Sequence, residues 1–216
     1  MIKNILLFIV FLILGTTAVV IGYLWAVPGD TQLLKPFFPK TLFSIQNAPS
    51  ESLKGEIASV SGSVGWQSRV APYASLINSP QKLQQGEEVD THNNGKAVIS
   101  FPNTGTINLS PDTQVNFIQT LPADFVVNEK QGTAVFEKTG TVPISIRGLD
   151  LLINLDSGKS SISVDKKTSQ VTIKVEEGSV ILAFTDTNNN TVIIPISAGN
   201  EYVFNNNTKL GEIKTL

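Results

Sequence analysis

The chain has 216 residues, a formal net charge of -2 and a pI near 5.4. Charge so close to balance gives no electrostatic reason to expect nucleic acid, which needs clustered Lys and Arg. The absence of cysteine and the single histidine, His92, exclude disulfides, thiolate zinc sites and an imidazole metal cluster within one chain.

Charged residues make up 16% of the chain, below the ~25% of an average soluble domain. Ser, Thr and Asn take their place, as on a turn-rich β surface.

Residues 5–27 are almost wholly apolar, interrupted only by the hydroxyls of Thr16 and Thr17. A helix of that length is about 34 Å long, enough for a hydrocarbon core of about 30 Å. A cleavable signal peptide is the rival reading, but its apolar region would be shorter and would end in a small-x-small site. Here the run closes on Leu24-Trp25-Ala26, with a large residue where a small one is wanted. The expectation is an uncleaved transmembrane anchor at 5–27, with Tyr23 and Trp25 at the exit interface. A cytoplasmic stub of residues 1–4 precedes it. The count of flanking lysines is nearly even, so the orientation, N-in with the C-terminal domain extracytoplasmic at the cell membrane, rests on the size of the domain that follows.

Residues 28–53 carry Pro28, Pro36, Pro39 and Pro49 and little periodicity. They read as a semi-rigid tether.

From Lys54 the hydrophobic period changes to two. Residues 57–60 and 63–66 flank Ser61-Gly62, which predicts either a hairpin or a sharp corner. Residues 68–82 show no period and read as a loop. Next, Asn94-Gly95 predicts a type I′ turn that pairs residues 88–91 with 96–101. Pro102 to Gly105 returns the chain into a strand at 106–109, and Ser110-Pro111-Asp112 turns it again into 113–117. Short strands follow at 125–128, 133–137, 142–147, 151–155, 160–164 and 171–175, then through Val180, Leu182 and Phe184 after Glu177-Gly178, and at 191–196, 201–204 and near 211–214. The pattern is cleanest where Val171, Ile173 and Val175 alternate with Thr172, Lys174 and Glu176, one dry face against one wet face.

With no helical segment after the anchor, the domain at 54–216 is all-β. A glycine, a hydroxyl residue and a β-branched residue recur at Gly62-Ser63-Val64, Gly105-Thr106-Ile107, Gly140-Thr141-Val142 and Gly178-Ser179-Val180. Repeats of that spacing suit a roll or solenoid of short strands, with a sandwich as the alternative.

These residues resemble the FecR domain family, the extracytoplasmic β domain of iron-dicitrate-type sensors and related envelope proteins. The resemblance rests on Leu83-x-x-Gly86-Glu87-x-Val89-x-Thr91, Gly95-Lys96-Ala97-x-Ile99-x-Phe101, and Asn103-x-Gly105-Thr106 leading to Asn108-Leu109-x-Pro111-x-Thr113-x-Val115. Gln131-Gly132-Thr133-Ala134-Val135, Val175 to Val180 and Ala198-Gly199-Asn200 are similar to the family's later strands. The resemblance implies a FecR-like fold and an envelope location. It does not carry direct sigma-factor control, because such sensors place a helical domain before the membrane span and only four residues stand there.

No residue qualifies as catalytic, cofactor-binding or metal-binding. Paired carboxylates could hydrolyse glycosides if held in a cleft, but Asp112 and Asp156 lie in turn signals and Glu176 on a wet face. Asp90, Asp150 and Glu177 read as solvated acids, and His92 as a turn residue. Trp66, Tyr73 and Tyr202 could stack on sugars, although core packing is the commoner fate of strand aromatics. Asn108, Asn189 and Asn206 begin Asn-x-Ser/Thr triplets. The expectation is a non-enzymatic module meeting a partner protein or a cell-wall glycan. The alternative is a sensor that signals through a separate membrane protein.

Overall fold

The computed structural model describes residues 15, 48, 49 and 51–216. The expected anchor at 5–27, save for position 15, and the tether up to residue 47 lie outside the described residues.

From Gly55 on, period-two alternation produces fifteen strands in one hydrogen-bonded sheet. They are β1 (Gly55–Ser61), β2 (Val64–Gln67), β3 (Ser75–Ile77), β4 (Gln81–Leu83), β5 (Glu88–Thr91), β6 (Lys96–Phe101), β7 (Gly105–Leu109) and β8 (Thr113–Leu121). Then come β9 (Asp124–Lys138), β10 (Ile144–Gly148), β11 (Leu151–Asp165), β12 (Gln170–Thr185), β13 (Thr191–Ser197), β14 (Asn200–Asn205) and β15 (Leu210–Thr215). The all-β expectation holds throughout this region.

The pairings resolve the sheet into two rows. The first runs β4-β1-β6-β7-β9-β11-β12-β14-β15. The second runs β3-β2-β5-β8-β9-β10-β11-β12-β13. β9, β11 and β12 belong to both, one half of each strand in each row. Aromatic contacts show that the rows face each other. Phe101 of the first row lies 5.2 Å from Phe117 and 4.8 Å from Phe125 of the second, and Phe184 of the second lies 4.7 Å from Phe204 of the first. One core fills the space between them, with Ile57, Val89, Ile99, Val115, Phe136, Ile153, Ile173 and Leu182 fully buried.

Three expectations are corrected. Glu88–Thr91 does not pair with Lys96–Phe101: β5 pairs with β2 and β8, while β6 pairs with β1 and β7. His92 to Gly95 instead carries the chain from one row to the other. A two-residue turn was expected because Asn-Gly favours it, but the His92 amide donates to the Ser63 carbonyl at 3.0 Å and so joins this crossing to the one at Gly62. Of the two readings of Ser61-Gly62 the corner holds, since β1 and β2 do not pair. Residues 68–82, expected as loop, contain the short edge strands β3 and β4. Finally, Gln131-Gly132, Asp156 to Gly158 and Glu177-Gly178 do not end strands; they bend β9, β11 and β12 from one row into the other.

Threonines at the strand ends of the early crossings are structural. The Thr91 hydroxyl donates to the Ser110 carbonyl at 2.5 Å and accepts the Thr113 amide at 2.9 Å. Thr113 repeats the arrangement, donating to the Thr133 carbonyl at 3.0 Å and accepting the Thr133 amide at 2.9 Å. Each hydroxyl supplies backbone partners that a crossing cannot obtain from a strand ladder.

Candidate functional site

Alternation leaves each row an outer face, and the first row's is polar. Across β7, β9, β11, β12, β14 and β15 the register aligns Asn108, Val135, Ser161, Lys174, Glu201 and Lys214. The neighbouring line holds Thr133, Ser163 and Thr172. Between them lies a depression of about 320 Å³ lined by Thr133, Ser161, Ser163, Thr172 and Lys174. The Thr133 hydroxyl donates to Ser163 Oγ at 3.0 Å, and Lys174 Nζ sits 3.0 Å from Glu201. The chemistry offered is a bank of hydroxyl donors and acceptors beside one neutralised cation, which suits a polyhydroxylated or peptide-like partner.

A second depression, of about 390 Å³, lies at β1, β4 and β6 and is lined by Lys54, Gly55, Glu56, Lys82, Ser100 and Pro102. Gly55 is required there, because a Cβ would stand 2.6 Å from the Phe101 ring beneath it. Among the described residues, neither Lys54 nor Lys82 has an acid within ion-pair distance.

The acids singled out from the sequence are spread over the domain. Asp90 lies on β5 opposite Gly65 and Gln114. Asp112 occupies the crossing between β7 and β8 with φ of 57°. Asp150 accepts Lys209 Nζ at 2.5 Å, and that bond holds its carboxyl below the usual range. Glu176 pairs with Lys159 at 2.8 Å. Asp156 and Glu177 flank the bend where Gly158 meets Gly178. Among the described residues no three acids or histidines are grouped as a metal site. His92 is exposed, and its backbone carbonyl receives the amides of Gly95 and Asp112.

The three candidate aromatics part company. Trp66 is half-buried against the core, and its indole N–H donates to Glu87 Oε2 at 3.1 Å. The same oxygen accepts the Gln84 amide at 2.9 Å. Burial raises the Glu87 carboxyl pKa, while the Gln84 and Trp66 hydrogen bonds and the nearby Arg69 charge oppose the rise. Tyr202 is a core residue whose hydroxyl lies over Gly211, where a Cβ would be 2.0 Å away. Tyr73 is 81% exposed in the loop before β3, so it alone of the three offers a stacking face. The side chains of Asn189 and Asn206 lie in turns, and Asn108 on the polar outer face.

One group escaped the sequence reading. Glu129 is fully buried, and its place in the alternation Phe125-Val127-Glu129 was the available signal.

No protein-family model matches this chain, and no curated protein does. Among solved structures it is similar to two crystal structures of a candidate anti-sigma factor from Parabacteroides distasonis, at 2.50 Å and 1.65 Å resolution. Each superposes with a TM-score of 0.50 at 14% identity, covering 59% of this chain and 59% of the other. At that identity the likeness concerns the fold.

Proposed function

We propose that the chain is a membrane-anchored, non-enzymatic envelope module whose β domain, of FecR type, binds a partner protein or a cell-wall glycan outside the membrane. The observation that carries the binding reading is the hydroxyl-lined depression at Thr133, Ser161, Ser163, Thr172 and Lys174. Four of its five residues offer hydroxyls on a face ordered by strand pairing, so a ligand rich in hydroxyls or amides can exchange water hydrogen bonds for protein ones with little reordering of the surface. The anchor reading rests on the apolar run at 5–27 and the family reading on the block from Leu83 to Val115.

A second reading is favoured by the fold likeness to a candidate anti-sigma factor: a sensor domain that signals through a separate membrane protein. Affinity capture of the full chain from its native membrane, alongside retention on purified cell wall, separates the two. Retention on cell wall that is lost in Ser161→Arg or Thr172→Arg supports glycan binding at this face. Co-purification of a transmembrane or sigma-regulating protein supports the sensor. If neither occurs, the binding reading fails.

A further inference from the structure

Alternation along β9 sends Phe125, Val127 and Glu129 into the core together, and Glu129 is 0% exposed. Neither carboxyl oxygen has a hydrogen-bond partner. A β-bulge follows directly after it. Val115 stands opposite Glu129 while Gln114 stands opposite Gln131, so Lys130 is the extra residue. The two adjacent charges part: Lys130 turns outward to Glu88, and Glu129 turns inward.

The residues in register with Glu129 on its two neighbouring strands carry no polar side chain. β8 brings Val115 and β10 brings Gly148. The inner side of Gly148 is met by Val164 of β11 and Val171 of β12, and its partner on β11 is Leu151. The other charged groups of the surrounding strands are not buried: Asp124, Lys130, Glu137 and Lys138 of β9, Arg147 of β10, Asp156, Lys159 and Asp165 of β11, and Lys174, Glu176 and Glu177 of β12. Burial pushes the Glu129 carboxyl well above its usual pKa range. The Ala134 backbone opposes that rise without completing a hydrogen bond, and no charged neighbour contributes.

The position also ends a pairing. β9 with β10 is the one parallel pairing among the described strands, and Glu129 opposite Gly148 is its last pair before β9 bends at Gly132. Parallel pairing is slightly the weaker kind.

We propose that Glu129 is a pH-sensitive latch on the β9–β10 seam: protonated it stays inside and the seam is closed, and ionised it draws the bend of β9 open to reach water. A carboxylate without partners in an apolar interior is far costlier than the neutral acid. The sign follows. For an acid whose folded pKa lies above its unfolded value, stability is complete below the ordinary carboxylate range, falls as pH rises towards the folded value, and is level beyond it.

The test is amide hydrogen exchange of the full chain, expressed as protection factors so that intrinsic exchange cancels, from about pH 4 to about pH 10. Protection over residues 125–129 and 144–148 is expected to fall at least about tenfold across that range in the wild type. Protection in Glu129→Gln, an uncharged stand-in for the protonated acid, should fall at least about tenfold less, since any contribution of Glu87 is common to both chains. Should that variant not fold, Glu129→Leu takes its place. Ser160, whose buried hydroxyl also lacks a partner, provides the control: Ser160→Ala should leave the wild-type pH dependence intact. Glu87 is common to all these chains and cancels. Level protection in the wild type, an equal fall in Glu129→Gln, or a Glu129 carboxyl that titrates by carbon NMR in the ordinary range would overturn the latch.

Discussion

The two ends of the sheet change rows by different means. Between β1 and β8 the chain leaves a strand, crosses in a few irregular residues and begins another, with threonine hydroxyls supplying the missing backbone partners. In β9, β11 and β12 the strand itself continues across. β11 and β12 bend side by side where Gly158 faces Gly178 with φ of 80° and 76°. A Cβ on Gly158 would lie 2.2 Å from the Glu177 carbonyl oxygen, and one on Gly178 would lie 2.2 Å from that of Ser157. Side-chain stitching tolerates short strands; the paired bend of β11 and β12 uses two glycines in register and keeps the ladder nearly unbroken. The difference teaches that a glycine turn signal inside a strand-rich sequence marks a change of direction, and pairing decides whether the strand ends there.

That contrast can be broken at the bend first. Gly158→Val combines a backbone clash with a left-handed backbone and should cost about 4 kcal/mol or more, seen as a large fall in the urea midpoint. Next in size, Phe117→Ala and Phe204→Ala each remove a buried ring, one beside the stitched crossings and one beside the bends, and should cost about 3–5 kcal/mol. Because β9, β11 and β12 run through both rows, tryptophan fluorescence and circular dichroism should still show one transition in each variant. Two separated transitions would mean that the ends fold independently.

The stitches come third. Thr113→Val removes the acceptor of the Thr133 amide and should cost about 1–3 kcal/mol by denaturant titration, whereas Thr172→Val, on the outer face, should cost much less. Smallest is Lys174→Ala, which loses an exposed ion pair with Glu201. It should lower stability by no more than about 1 kcal/mol, and by less in high salt.

Most of the strand content was legible because period-two alternation is a local signal. Val171, Ile173 and Val175 face the core as their spacing requires, and the hairpin through Pro102 to Gly105 forms as its turn residues predict. Pairing was not legible. Asn94-Gly95 has the chemistry of a hairpin turn, yet long-range hydrogen bonds to Ser63 and the pull of a shared core place β5 and β6 in different rows. The short strands β3 and β4 lack alternation because they sit at sheet edges, where Leu76 and Lys82 are exposed. The hydroxyl depression gave no contiguous motif, since its five residues come from β9, β11 and β12 and meet only through register. Tyr202 and Trp66 were readable as core aromatics; Glu129 was obscured by the lysine beside it.

The account depends on β9 serving both rows, and the cysteine-free chain allows a direct test. Asn108 stands opposite Val135 in the first row, and Asn116 opposite Asn128 in the second. Directly opposed antiparallel residues have Cα atoms about 4.5–5.5 Å apart, within disulfide reach. Cysteines placed at each pair in turn should both oxidise to intramolecular crosslinks in the folded full chain, with mass spectrometry assigning the bridges. If only one pair closes while the other stays reduced in a folded protein, β9 does not run through both rows and the two-row sheet described above is wrong.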